Sequence, residues 1–224
     1  MSNPLFSEKL KSIQSEMNLH SQLLIVSKTR SVEEIVAYYN LGQRDFGENR
    51  VQELMEKSEA LRVSCPDIRW HMIGNLQSNK IHQLFTVHNL WAIHSVDDRD
   101  LVEKLIKAEN RLNHPVNVFL QYNTSREQEK AGFEDYESLK AAGTLFHADH
   151  KLKLYGLMTM GTLRTGEFEV EAKRCFKELT YLKEKLGFEL GLELQTSMGM
   201  SQDYKIAIEE KSNWIRLGTM MFRT

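Results

Sequence analysis

Cysteine is scarce in this chain, with two in 224 residues. Cys65 and Cys175 stand far apart and match no zinc spacing, so neither a disulfide framework nor a cysteine metal site is encoded. Both read as ordinary reduced thiols. Proline is rarer still for the length, at three. No Pro- or Gly-rich stretch marks a linker, and there is no internal repeat or low-complexity segment. No apolar run reaches the roughly 18 residues that a membrane span needs, and residues 1–20 lack the apolar segment of a signal peptide. These absences predict a cytoplasmic protein without a membrane partner. Charge is balanced as well, 29 Lys+Arg against 31 Asp+Glu for a net −2. The basic residues are dispersed, which argues against nucleic acid.

What is present is alternation. Short β-rich runs at Leu23–Val26, Arg44–Phe46, Arg69–Ile73, Leu90–His94, Val116–Gln121, Leu152–Leu157, Leu190–Gln195 and Trp214–Leu217 are separated by segments of helical spacing. Val32, Ile35, Val36 and Tyr39 form one helical stripe; Phe168, Ala172, Cys175, Phe176, Leu179, Leu182 and Leu186 form a longer one. Ser31-x-x-Glu34 and Ser95-x-x-Asp98 read as capping boxes. Eight strands, each followed by a helix, predict an α/β protein built as a single (β/α)8 TIM-type barrel over residues 1–224, an open doubly wound sheet being the alternative. The chain ends seven residues after Leu217, too soon for a full last helix. A helix within residues 1–20, with the stripe Phe6, Leu10, Ile13 and Met17, is expected to cover that flank.

Barrel active sites form at the C-terminal ends of the strands. If Leu24 and Val26 point into the barrel, period two points Lys28 inward at the mouth, where a free amine can attack a carbonyl. A solvated lysine introducing a loop is the plainer reading. Ser197-Met198-Gly199-Met200-Ser201 follows the seventh strand, and Arg216-Leu217-Gly218-Thr219 closes the eighth. Their hydroxyls and glycine amides, with a short helix from Gln202 to about Glu209 behind, suit a phosphate, although such runs also serve as plain turns. Three further segments have the character of site loops: Phe46-Gly47-Glu48-Asn49-Arg50, Trp70 to Lys80, and Gly156 to Met160. Asn49 also reads as a helix cap and His71 as a satisfied core histidine. His147-Ala148-Asp149-His150 has metal-ligating residue types, but it precedes a strand on the face away from the site, so no metal is expected.

Taken together and in order, these segments resemble the pyridoxal phosphate homeostasis proteins, the YggS/PROSC family, which are relatives of the barrel domain of alanine racemase. The markers are Val26-Ser27-Lys28-Thr29, Phe46 to Glu53, Trp70 to Lys80, Gly156-Leu157-Met158, Ser197 to Ser201 and Ile215 to Thr219, so the likeness runs from Leu23 to Phe222. The resemblance implies that pyridoxal 5′-phosphate is the cofactor and that Lys28 holds it as a Schiff base. It implies that Ser197, Gly199, Ser201, Gly218 and Thr219 surround the phosphate, that Arg216 faces the pyridine nitrogen, and that Asn49 and His71 line the ring pocket, with Met158 in the same cofactor-binding set. One departure is that Phe222 is followed by Arg223, where the family usually has glycine.

Such a barrel is either a carrier of the cofactor or a racemase-like enzyme acting on amino acids. Alanine racemases add a second domain that supplies a tyrosine acid/base, and the barrel is expected to consume this whole chain. Two-base chemistry needs proton donors on both faces of the substrate α-carbon, whereas only Lys28 can be placed. The expected function is therefore intracellular pyridoxal phosphate homeostasis without a catalytic residue, the partners being the cofactor itself and apo-enzymes or free amino acids that receive it. A barrel enzyme acting on a phosphorylated small metabolite is a third reading.

Overall fold

A strand in a closed parallel barrel is covered on both faces, by the barrel interior and by the helices, and so reads as an almost continuous apolar run. Leu23, Leu24 and Ile25 illustrate this, all buried in strand β1 (Gln22–Val26). The structure, a computed structural model, describes residues 4–162 and 166–222. After helix α1 (Pro4–Glu16) and β1 come α2 (Val32–Asn40), β2 (Asp45–Glu48), α3 (Val51–Leu61), β3 (Arg69–Met72), α4 (Ile81–Leu84) and β4 (Leu90–Val96). Then follow α5 (Arg99–Ala108), β5 (Val116–Gln121), α6 (Tyr136–Gly143), β6 (Leu152–Met158), α7 (Phe168–Leu190), β7 (Gln195–Ser197), α8 (Tyr204–Glu209), β8 (Trp214–Leu217) and α9 (Thr219–Phe222).

The eight strands pair in sequence order into one closed barrel, so the architecture is the expected TIM-type barrel. β8 returns to β1 in parallel, with Leu24 beside Arg216. The seam between β7 and β8 is the sparsest, with Ser197 opposite Trp214 as its one registered pair among the described residues. Two backbone bonds extend it, Met198 N–H to the Trp214 carbonyl at 3.0 Å and Arg216 N–H to the Gly199 carbonyl at 2.9 Å. Inside the barrel Leu24, Ala92, Phe119, Met158 and Trp214 form a small core of their own, distinct from the large one between strands and helices.

Two local expectations shift. The apolar phase of α7 continues through Leu190, and Gly191 ends the helix in the left-handed region at φ 66°, so β7 starts at Gln195 and not at Leu190. Ser95 is not a cap. It lies inside β4, which runs on to pair Val96 with Leu120, and its hydroxyl donates to the Gly74 carbonyl. Asp98 caps α5 instead, accepting from the Leu101 amide at 2.7 Å. The Ser31–Glu34 box forms in both directions as expected.

α1 and the four-residue α9 together cover the flank after β8. Phe6 stacks on Tyr38 with centroids 4.6 Å apart and meets Phe222 edge-on at 5.9 Å. Arg223 lies outside the described residues. Cys65 and Cys175 are buried free thiols. Between α6 and β6, His150 pairs with Glu109 at 2.5 Å, and no group of three metal-ligating side chains occurs among the described residues. None of the described helices is long and apolar enough to cross a membrane.

Phe6 is the hinge of the α1 contact, so Phe6→Ala should cost about 3 kcal/mol of stability. Phe188→Ala, at an exposed position, should change it by less than about 0.5 kcal/mol. Equal urea midpoints for the two variants would show that α1 does not seal the barrel.

Candidate functional site

Strand parity delivers Lys28 to the barrel mouth. Leu24 belongs to the inner core, and Val26 and Lys28 both line one cavity of about 390 Å³ at the C-terminal ends of the strands. Opposite them stand Asn49 after β2, Ile73 after β3, and Met158 and Met160 from β6 and beyond. The loops after β7 and β8 contribute Met200, Ser201, Gln202, Arg216, Gly218 and Thr219. The structure thus gathers Lys28, Asn49, Met158, Ser201, Arg216, Gly218 and Thr219 around one space.

Close backbone approach shapes this mouth. Gly74 lies against Asn49, where a Cβ would come within 2.2 Å of the Asn49 carbonyl oxygen, so the β3 loop presses on the β2 loop. Gly199 has φ +95°, and a Cβ there would meet the Ala207 side chain at 2.5 Å. This lets α8 pack directly on the loop that carries Ser201. Asp203 closes that loop by accepting the Met200 amide at 2.6 Å. α8 has only six residues and begins behind this carboxylate, so loop amides and hydroxyls, more than a helix terminus, face this side of the cavity. Burial pushes the Asp203 carboxyl upward, and its Oδ2 has no partner among the described residues.

His71, Ser197 and Gly199 are not in the cavity wall. They lie one layer deeper, and two of them belong to a buried hydrogen-bonded chain. Arg216 donates through Nη1 to Ser197 Oγ at 2.6 Å and through Nη2 to the Thr159 carbonyl at 2.8 Å. Ser197 Oγ lies 2.9 Å from His94 Nδ1, His94 Nε2 lies 3.0 Å from His71 Nδ1, and His71 Nε2 lies 3.0 Å from Asp45 Oδ1. Asp45 also pairs with Arg69, which is partly exposed. His71 is therefore the satisfied core histidine of the plainer sequence reading. It cannot turn to the cavity without abandoning both partners.

Donor counting gives this chain a direction. A carboxylate only accepts, so Asp45 takes the His71 Nε2 proton, and neutral His71 accepts at Nδ1 from His94 Nε2. His94 Nδ1 is left to accept from the Ser197 hydroxyl, whose oxygen also accepts from Arg216. Both imidazoles are neutral in this scheme. Burial, the largest influence, holds both below the ordinary histidine range, far below for His94, where His71 and Arg216 add to the effect. The Arg216 guanidinium is itself buried and pulled down to about 10 by desolvation, with Asp203 opposing. Arg216 thus stays charged at neutral pH. Sequence reasoning missed Asp45, His94 and Asp203. The available signal was a large polar side chain inside a mostly apolar strand, as at His94 in β4.

The chain matches the family described as alanine racemase, N-terminal domain, over residues 5–224, and belongs to it. It is 38% identical over 211 residues to the pyridoxal phosphate homeostasis protein of Schizosaccharomyces pombe, covering 94% of this chain and 87% of that protein. The protein of the same name from Caenorhabditis elegans is 36% identical over 214 residues, covering 93% and 87%. Among solved structures, PipY of Synechococcus elongatus PCC7942 with pyridoxal phosphate bound superposes with a TM-score of 0.86 at 33% identity, covering 97% of this chain and all of that one.

Two measurements test the buried chain. Nitrogen NMR at pH 7 should show His71 and His94 protonated on Nε2; a proton on Nδ1 of either would mean the chain runs the other way. Because the folded histidines refuse protons that the unfolded ones accept below about pH 6.5, their contribution to stability is full above that pH and declines as pH falls through it. Between pH 6.5 and 5.5 the stability of His94→Gln should fall less steeply than that of the wild type, by up to about 1.4 kcal/mol per pH unit. Parallel profiles would contradict the assignment.

Proposed function

We propose that the cavity holds pyridoxal 5′-phosphate and that the chain serves pyridoxal phosphate homeostasis in the cytoplasm, passing the cofactor to apo-enzymes or free amino acids. The observation that carries this is the convergence of Lys28, Arg216, Ser201 and Thr219 on one cavity of about 390 Å³. The donor set fits the group. Ser201, Thr219 and the Gly218 backbone suit a phosphate, Arg216 a ring nitrogen, and Val26, Ile73, Met158 and Met160 the faces of the ring. When bound, pyridoxal phosphate supplies an aldehyde that condenses reversibly with amines and, if its ring nitrogen is protonated, an electron sink. Lys28 supplies the amine.

The carrier reading rests on what surrounds that amine. Among the described residues, the ionisable side chains lining the cavity are Lys28, Arg30 and Arg216. Guanidinium groups hold their protons, which leaves Lys28 as the one ionisable wall group with an amine to offer. Arg216 also disfavours a proton on any nitrogen it faces, because a guanidinium offers only donors and a positive charge. Exchange of one amine for another needs no electron sink; chemistry at an α-carbon does.

Incubation with pyridoxal phosphate should give a yellow protein, and borohydride should fix a pyridoxyl group on the peptide containing Lys28. Lys28→Ala should lose the colour, and label falling mainly on Lys80 or Lys130 would move the site. Ser201→Ala and Thr219→Val should each weaken binding by about 1.5–3 kcal/mol, the worth of a hydrogen bond to a charged group, and pyridoxal without its phosphate should bind far more weakly. Binding of pyridoxal as tight as its phosphate would remove the anion cup from the proposal.

In deuterated water, the loaded protein should not exchange the α-proton of any common amino acid catalytically. Turnover near 10 per second, ordinary for an enzyme, would favour the racemase-like reading. Arg216→Glu, reversing the charge at the ring nitrogen, is the variant expected to gain slow exchange.

A further inference from the structure

Lys28 is carried on a strap, residues 27–30, that separates the cavity from helix α3, and α3 grips this strap at two points. Lys57 Nζ donates to the Ser27 carbonyl at 2.7 Å, and Glu53 Oε1 accepts the Thr29 amide at 2.6 Å. These atoms belong to the two peptide groups on either side of the Lys28 Cα. Each peptide group is planar, so holding both fixes both backbone torsions of Lys28. Thr29 itself has φ +62°, an uncommon setting for a β-branched residue that persists only where its surroundings impose it.

The grip is a built unit. Glu53 and Lys57, one helical turn apart on α3, pair at 2.6 Å. Lys57 also reaches Glu48 Oε1 at 2.8 Å, and the Ser27 hydroxyl donates to that same oxygen at 2.7 Å. The three hydrogens of the Lys57 ammonium are thereby used on Ser27, Glu48 and Glu53. This second lysine, one layer behind Lys28, is engaged throughout and does not compete as a nucleophile.

We propose that Glu53 and Lys57 are positioning residues for Lys28, a two-point clamp that sets the direction from which its amine enters the cavity. The proposal rests on the reading of Lys28 as the residue that condenses with pyridoxal phosphate. A clamp of this kind removes the orientational search before condensation, and small misplacements of a reacting group cost up to about a hundredfold.

Glu53 is partly exposed and its replacement spares the core, so the test is a double-mutant cycle with free pyridoxal phosphate as the probe. Glu53→Ala should accelerate hydrogen exchange at the Thr29 amide and weaken pyridoxal phosphate binding about tenfold or more. In the Lys28→Ala background, where the probe is held by the cup alone, the same substitution should change affinity less than twofold. Glu53→Gln keeps an acceptor for the Thr29 amide and should recover most of the loss. An equal loss in both backgrounds would overturn the clamp, as would faster Thr29 exchange with unchanged affinity, or failure of Glu53→Gln to recover binding while it stays folded. Absence of pyridoxyl label on wild-type Lys28 would overturn the cofactor reading itself, and the clamp with it.

Discussion

A guanidinium cannot shed its proton at neutral pH, so a barrel that buries one at the end of its last strand must arrange acceptors around it. Arg216 imposes that demand here. Ser197 and the Thr159 carbonyl meet it directly, and Ser197 passes its own proton to His94. The result is an ordered series through His94 and His71 to Asp45, which balances its charge against Arg69 at the N-terminal ends of β2 and β3. Side chains from β2, β3, β4 and β7 are thus committed to one arginine on β8. The interior is polar along this line and apolar beside it, where Phe119 stacks on His94 with centroids 4.2 Å apart.

The fold was largely legible because its signals are local. β5 and β8 have the boundaries their residues predict, and the helix before β1 buries the predicted Phe6, Leu10 and Ile13. Errors arose where two local signals overlapped. At Leu190 an apolar residue satisfies both the end of a helix and the start of a strand, and tertiary packing chose the helix. At Ser95 a capping hydroxyl was available, but strand pairing carried β4 past it.

The cavity wall was legible in a different way. Lys28 followed from period-two parity, and Ser201, Gly218 and Thr219 from their place after the last strands. Depth was not legible. His71 and Ser197 occupy motif positions, yet their side chains point into the layer beneath the cavity, because their partners His94, Asp45 and Arg216 are distant in sequence. No spacing rule within a motif can show that a residue serves the floor of a site and not its wall. The cofactor's identity came from family likeness, since a lysine and an anion cup would also suit other phosphorylated aldehydes and ketones.

The seam between β7 and β8 gives the closed barrel an unequal rim. Among the described residues its ladder has one registered pair, while the two loops that emerge from it carry Ser201, Gly218 and Thr219. An anion gripped by both loops acts as a rivet across the joint that backbone hydrogen bonding secures least. Its binding free energy then adds to closure, by the same mass action through which any ligand of the native state holds that state together. Loss of such an anion would return the rim to its weakest form, and a barrel that carries one would be stiffest at its mouth.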